Sequence, residues 1–206
     1  MIDPKRLFDL GASACAALVF APVLPVLAAA IALDDGGPVL FVQERIGHHR
    51  KGFRIVKLRT MRDGRVTRVG RWLRATGLDE LPQFVNVVRG EMSVVGPRPL
   101  TAHDVHRLGW DTSHDARFAI RPGIVGIAQV LGARTARHTA HLDALYARRA
   151  SLALDASLVL AGFVANVAGK HRMRAVLGLD HGRRARREPL PASRDRGTMA
   201  CARVPT

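Results

Sequence analysis

The chain has 206 residues, enough for one domain, or for one domain with a tail. Its formal charge of +15 points to a polyanionic partner: nucleic acid, an anionic membrane surface or a phosphorylated substrate. Aromatic residues make up only 5%, which argues against base stacking, and two cysteines, Cys15 and Cys201, give no disulfide framework and fit a reduced, cytosol-facing chain.

Residues 10 to 33, "LGASACAALVFAPVLPVLAAAIAL", carry no charge. At about 1.5 Å per residue, a straight helix of that length reaches across a bilayer core of about 30 Å. A secretory signal, a single span and a re-entrant anchor all remain open. Lys5, Arg6 and an A-x-A-like end at Ala28 to Ala30 fit a signal, but the apolar core is longer than usual. Pro22 and Pro25 each remove a backbone donor and clash with the preceding turn, so a kink near the middle is expected. A helix bent at mid-membrane returns to the face it entered, although spanning helices tolerate proline too. Asp3, Lys5, Arg6 and Asp9 before the run, and Asp34 and Asp35 after it, are read as marking membrane interfaces.

Alternation at Val39, Phe41 and Arg45, then at Phe53, Ile55 and Leu58, predicts two short strands joined by "GHHRKG". On the second strand, Lys57 and Arg59 of "VKLRTM" are placed toward phosphates, with a solvated strand face equally open. "VTRVGRWLRATG" reads as a short basic helix ending at Gly77. "LDELPQFVNVVRG" restarts helical periodicity, with Leu81, Phe84, Val85 and Val88 on one face and Gly90 as its stop. "VVGPRPL" is rigid loop, and "RPGIVGIAQVLG" has turn or strand character. Helices are expected near residues 137–149 and 151–168. The second of these is apolar almost all round, yet Asp155 would cost about 2.5–3.5 kcal/mol deep in lipid. It is therefore expected to lie in the interface or to pack on the core. From Arg183 the chain is polar and unpatterned, the composition of a disordered tail.

The adjacent carboxylates Asp79 and Glu80 are the chemical centre of interest. With Asp79 at or just before an N-cap, Pro82 falls in the first helical turn, where its missing N–H costs nothing. The helix dipole and nearby arginines favour ionised carboxylates, while mutual repulsion opposes, and a divalent cation would relieve that repulsion. An ionised Asp beside a metal can attack phosphorus. Taken alone the pair is also an ordinary acidic helix start. In "GPRP", two prolines stiffen the backbone around Arg98, which suits bidentate phosphate binding. His48 and His49, and the pairs His103/His106 and His138/His141, have no zinc-site context. Trp72 and Trp110 read equally as core or interface anchors and as ligand contacts.

The segments "LFVQERIG", "FRIVKLRTM", "TRVGRWLRATGLDELPQFVNVVRGEMSVVGPRP" and "RPGIVGIAQV" resemble, in order, the bacterial sugar transferase family, the small monotopic polyprenyl-phosphate phosphoglycosyl transferases. The resemblance runs from about Lys5 to about Val167. It implies transfer of sugar-1-phosphate from a nucleotide sugar, usually a UDP-sugar, to a polyprenyl phosphate such as undecaprenyl phosphate. The products would be a polyprenyl diphospho-sugar and UMP, the first membrane step toward an exopolysaccharide, O-antigen or glycoconjugate. It also implies Mg2+ as cofactor, held at Asp79 and Glu80, with Asp79 the nucleophile and Glu80 assisting. Arg74, Arg98 and Arg134 match phosphate-holding arginines. Gln129 and Asp143, the latter in "HLDALYARR", match further substrate-binding positions. Pro22 and Pro25 would bend a re-entrant helix with both ends on the cytoplasmic face of the bacterial inner membrane. The chain departs from the family at Ala21 before Pro22, where Ser is frequent, at Gly77 where Ser or Thr is usual, and at "GAR" where "GRN" is usual.

The expected fold is α+β and mostly helical. Residues 1–35 form a kinked re-entrant membrane helix. Residues 36–170 form a small cytosolic catalytic domain with a short β-hairpin and interfacial helices, and residues 171–206 form a basic tail. Expected partners are a nucleotide sugar, polyprenyl phosphate and membrane lipid, without nucleic acid; a homodimer is left open. The competing functions are a membrane-anchored basic binding module without chemistry and an inactive family member.

Overall fold

The computed structural model describes residues 3–168 and is a mixed helix-and-sheet fold, mostly helical. The proposed basic tail lies outside the described residues. Helix α1 (Pro4–Phe20) starts where the Asp3 side chain accepts the Lys5 N–H at 3.1 Å and Pro4 occupies the first turn. It stops before Pro22. Helix α2 (Leu24–Asp35) follows with Pro25 in its first turn and ends at Gly36 in a left-handed conformation, φ 81°. The two helices are bent by 63° across the break, so both prolines lie where the chain turns. Among the described residues no single helix is long and apolar enough to cross a membrane, but the bent pair together has the length and composition.

Helix α1 is inside out relative to a soluble helix, whereas α2 buries Leu27 and Ile31 in an apolar core. The residues that α1 buries are Asp9 and Ser13, while Leu18 is 82% exposed, as is Leu33 of α2 at 89%. The flanking charges, expected to mark membrane interfaces, instead bond into the fold. Lys5 Nζ reaches the Asp155 carboxylate at 2.6 Å, the Tyr146 hydroxyl at 3.0 Å and the Val95 carbonyl at 3.3 Å. Arg6 donates to the carbonyls of Val87 and Val88. Asp9 accepts from Ser93 Oγ and Val94 N, each at 2.9 Å. At the far end of the pair, Asp35 is ion-paired to Arg59, and Asp34 accepts the Val69 N–H at 3.0 Å.

Strands β1 (Leu40–Ile46) and β2 (Gly52–Leu58) form the expected antiparallel hairpin, with Arg45 opposite Phe53 and Phe41 opposite Lys57. A small hairpin of β3 (Met61–Arg62) and β4 (Arg65–Val66) leads to α3 (Arg68–Thr76), capped by the Thr67 side chain at its start and by Gly77 at its end. Gly77 has φ 74°, which an L-residue with a side chain adopts at a cost, and this explains glycine there. After a 3₁₀ turn over Leu78–Glu80 comes α4 (Gln83–Val88). Its apolar residues are divided: Val85 and Val88 are 47% and 56% exposed, Phe84 packs against the main core, and Gln83, Asn86 and Val87 are buried. Asn86 stands in for a missing strand beside β2, accepting the Val56 N–H at 3.2 Å and donating to the Arg54 carbonyl at 2.7 Å.

Strand β5 (Ser93–Val95) pairs in parallel with β6 (Gly123–Val125), and α5 (Ala102–Arg107) and α6 (Asp115–Phe118) fill the crossover. Neither short helix is visible in the sequence pattern. Helices α7 (Ile127–Val130), α8 (Ala136–Arg149) and α9 (Leu152–Ala168) complete the chain, the last two close to their expected bounds. The main core gathers Phe53, Ile55, Val87, Met92, Val94, Val95, Tyr146 and Leu158. Asp155 is wholly buried, so α9 packs on that core with its acidic residue paired to Lys5. Trp110 belongs to a smaller core with Val105, Phe118 and Ala140, while Trp72 is 52% exposed.

Candidate active site

The carboxylate pair does not sit at a helix cap. Asp79 and Glu80 occupy the 3₁₀ turn between α3 and α4, with the Glu80 N–H bonded to the Gly77 carbonyl at 3.2 Å. Pro82 takes the N-cap position of α4 instead of its first turn. Without a helix start to stabilise its anion, Asp79 is governed by burial. Desolvation first, and then the Glu80 charge, push its pKa above the usual 3.8, against the pull of Lys57 and Arg74. The helix dipole expected to favour the ionised form is absent at Asp79, and burial acts in the opposite direction there.

Basic groups converge on Glu80. Lys57 Nζ on β2 lies 2.8 Å from Glu80 Oε1, and an Arg98 guanidinium nitrogen lies 3.5 Å from the same oxygen. Arg45, Gln83 and Pro99 join them around a shallow cleft floored by Ile55 and Gly123. Arg74 leans on the same turn, its Nε donating to Thr60 Oγ1 at 2.8 Å. The GPRP segment is brought here by close backbone packing. Gly123 donates to the Pro97 carbonyl at 2.9 Å and Gly96 to the Val125 carbonyl at 3.0 Å. A Cβ on Gly123 would stand 2.0 Å from Gly96 N, so this contact needs glycine.

Other sequence-derived site residues are placed differently. Arg59 does not face the cleft; its guanidinium is ion-paired to Asp35 at the end of α2. Asp143, expected to bind substrate, is 1% exposed and faces the equally buried Arg117 at 3.5 Å. Burial drives its pKa up to about 6, with Arg117 opposing. Gln129 is exposed on α7 and folds over Gly126, beside the Arg98 backbone. Arg134 is exposed in the α7–α8 loop and has no ion pair or hydrogen-bonded partner among the described residues. Two residues were missed. Arg45 shares a hairpin face with Ile55 and Lys57, which correct cross-strand register would have revealed. Gln83, behind Pro82, gives no signal beyond its spacing from the carboxylates.

Among the described residues no group of three or more His, Cys, Asp or Glu side chains could hold a metal. Two adjacent carboxylates do suit Mg2+, which takes hard oxygen donors and usually accepts one or two from protein and the rest from phosphates and water. The repulsion that raises Asp79 is what such an ion would relieve.

The acidic pair has Lys57, Arg74 and Arg98 close by, and comparison with known proteins gives the arrangement a setting. The family model described as "Bacterial sugar transferase" matches residues 2–169. The chain belongs to the bacterial sugar transferase family. It is 44% identical over 178 residues to a UDP-glucose:undecaprenyl-phosphate glucose-1-phosphate transferase of Caulobacter vibrioides, covering 76% of this chain and 67% of the relative. It is 41% identical over 183 residues to an undecaprenyl-phosphate glucose phosphotransferase of Komagataeibacter xylinus, covering 75% and 34% respectively. An exopolysaccharide production protein of Rhizobium leguminosarum is 36% identical over 195 residues, covering 79% of this chain and 94% of that one. This bacterial sugar transferase chain thus spans about a third of the Komagataeibacter relative and nearly all of the Rhizobium one.

Proposed function

We propose that this chain transfers sugar-1-phosphate from a UDP-sugar to a polyprenyl phosphate, beginning the assembly of a bacterial polysaccharide. The observation that carries the reading is the Asp79–Glu80 turn with Lys57 and Arg98 gathered on Glu80, in a chain of this family. Relatives named for transfer of glucose-1-phosphate or N-acetylgalactosamine phosphate to undecaprenyl phosphate support the substrate classes.

In the proposed mechanism an Asp79 carboxylate oxygen attacks the sugar-bearing phosphorus of the donor. The bond from that phosphorus to the bridging oxygen breaks, and UMP leaves with the electron pair. The polyprenyl phosphate oxygen then attacks the same phosphorus, and the aspartyl oxygen–phosphorus bond breaks to restore the carboxylate. Burial removes water from Asp79 and strengthens its interaction with developing charge. Arg98 and Arg74 hold phosphate oxygens, and Lys57 fixes Glu80. Mg2+, held by Asp79 and Glu80 when bound, would supply neutralisation of phosphate charge.

The anchor reading is re-entrant, on the cytoplasmic face of the inner membrane. Its support is that the start of α1 and the end of α2 are both bonded to one small domain, Lys5 to Asp155 and Asp35 to Arg59, which a spanning helix cannot satisfy. Exposed Leu18, Val19 and Leu33 at the bend and on the outer face are the surface for lipid.

The test is turnover of UDP-glucose and undecaprenyl phosphate with Mg2+ by the purified chain in lipid nanodiscs. Release of UMP with formation of lipid-linked sugar is expected, and Asp79→Asn should abolish it in a protein that still melts cooperatively. Intact-protein mass spectrometry after donor alone should find phosphosugar on Asp79; finding none overturns the covalent route.

A further inference from the structure

Every residue of the GPRP segment is fixed through its backbone, and the group that fixes Arg98 is a buried side chain. Gly96 and Pro97 bond to β6, and the Pro99 carbonyl accepts from Arg45 at 3.4 Å. The Arg98 carbonyl accepts from Arg117 of α6 at 2.7 Å. Arg117 is 5% exposed, lies with its guanidinium 4.8 Å from the Trp110 ring centroid and 5.6 Å from that of Phe118, and faces Asp143 of α8 at 3.5 Å. That separation leaves the Asp143 Oδ2 oxygen without a hydrogen-bond donor. The better bond of this buried arginine therefore goes to the loop and not to its counterion. A buried ion pair is a poor source of stability, and an apolar side chain would fill the site at less cost in desolvation. What an apolar side chain cannot do is hold a carbonyl.

We propose that Arg117, seated by Asp143 and the rings of Trp110 and Phe118, is a positioning residue that aims Arg98 at the donor phosphates beside Glu80. This rests on the transferase reading above. The prolines on either side of Arg98 leave its backbone few ways to turn, so gripping its carbonyl sets the direction from which the side chain departs. A lysine at 117 keeps the charge for Asp143, but its ammonium is a compact point charge without the flat guanidinium that lies by the Trp110 and Phe118 rings and brings one nitrogen to the Arg98 carbonyl.

The test is a double-mutant cycle on kcat/KM for UDP-glucose, with melting temperature followed in parallel. Arg98→Ala should cost about 100-fold, and Arg117→Lys about 10- to 100-fold. The double variant should be no slower than Arg98→Ala, because Arg117 acts through a side chain that is no longer there. A residue that merely stabilises the fold gives losses that multiply. Asp143→Asn, which keeps the buried shape, runs through the same cycle and should also lose its effect in the Arg98→Ala background. If Arg117→Lys is too unstable to purify, that variant carries the test. Losses that multiply, or an Arg117→Lys protein as fast as wild type, overturn the positioning role while leaving the transferase reading intact. A wild type without turnover overturns both.

Discussion

Replacing Lys5 with methionine removes the one basic group that the structure places on Asp155. Asp155 is fully buried, and its carboxylate is held between Lys5 Nζ at 2.6 Å and the Tyr146 hydroxyl at 2.6 Å. Methionine keeps the length and apolar stem of the side chain, so packing changes little. What remains is an anion in the core with one neutral donor, and breaking a buried pair in this way costs about 3–5 kcal/mol. Lys5 is 28% exposed at its side chain, which places the expected loss near the lower bound, about 3 kcal/mol. For a chain of this size each kcal/mol moves the melting temperature by roughly 2–4 °C, giving a drop of about 6–12 °C. The assay is thermal unfolding in nanodiscs, with Lys51→Met, an exposed lysine of the hairpin turn, as control. Pairing Lys5→Met with Asp155→Asn should recover part of the loss, since the stranded charge is then gone. A Lys5→Met protein that melts within about 1 °C of wild type would refute the claim that the anchor's charged start is welded to the catalytic core.

Three further outcomes are expected. Glu80→Gln should leave Lys57 and Arg98 without their carboxylate and lower kcat by about 100-fold, read from UMP release, with little change in melting temperature. Gly123→Ala should unfold or badly destabilise the protein, by about 3 kcal/mol or more in denaturant titration, because its Cβ would stand 2.0 Å from the Gly96 nitrogen and neither backbone can yield. Asp143 has a folded pKa of about 6 against an ordinary 3.8, so its contribution to stability is full below the ordinary value and is lost as pH rises through about 6. The two values differ by an amount worth about 3 kcal/mol, and the stability of wild type relative to Asp143→Asn should fall by that order between pH 3.5 and 7.

Local features were legible because local physics wrote them. Alternation located the β1–β2 hairpin, Gly77 marked the end of α3, and Pro22 and Pro25 lie at the 63° bend. What failed to show depended on tertiary placement. Asp79 looked like a helix cap because an acidic residue precedes proline, but the left-handed Gly77 forces a 3₁₀ turn first and moves the helix start to Pro82. Asp143 and Arg59 carry the right chemistry for a phosphate site, yet one is buried behind the GPRP loop and the other faces α2. Periodicity put Leu81, Phe84, Val85 and Val88 on one face, but the structure divides them: Leu81 and Phe84 pack on the cores, Val85 and Val88 are exposed, and Gln83 and Asn86 take interior positions.

The polar stripe of α1 joins the bent helix pair to the candidate site. It holds the elements on either side of that site. Arg6 grips the carbonyls at the end of α4, the helix that begins immediately after Asp79, Glu80 and Pro82. Asp9 grips Ser93 and Val94 of β5, the strand that runs directly into Gly96 and Arg98. The distance between the carboxylate turn and the Arg98 loop is therefore set from below by a single rigid helix. The Asp9 bonds are made by a charged group withdrawn from water, where they are stronger than at a surface. On the proposed reading an enzyme with a lipid acceptor gains from this arrangement. The helix that would meet the bilayer is also the one that spaces the carboxylate turn from the Arg98 loop, so depth in the membrane and geometry at the site would be fixed together.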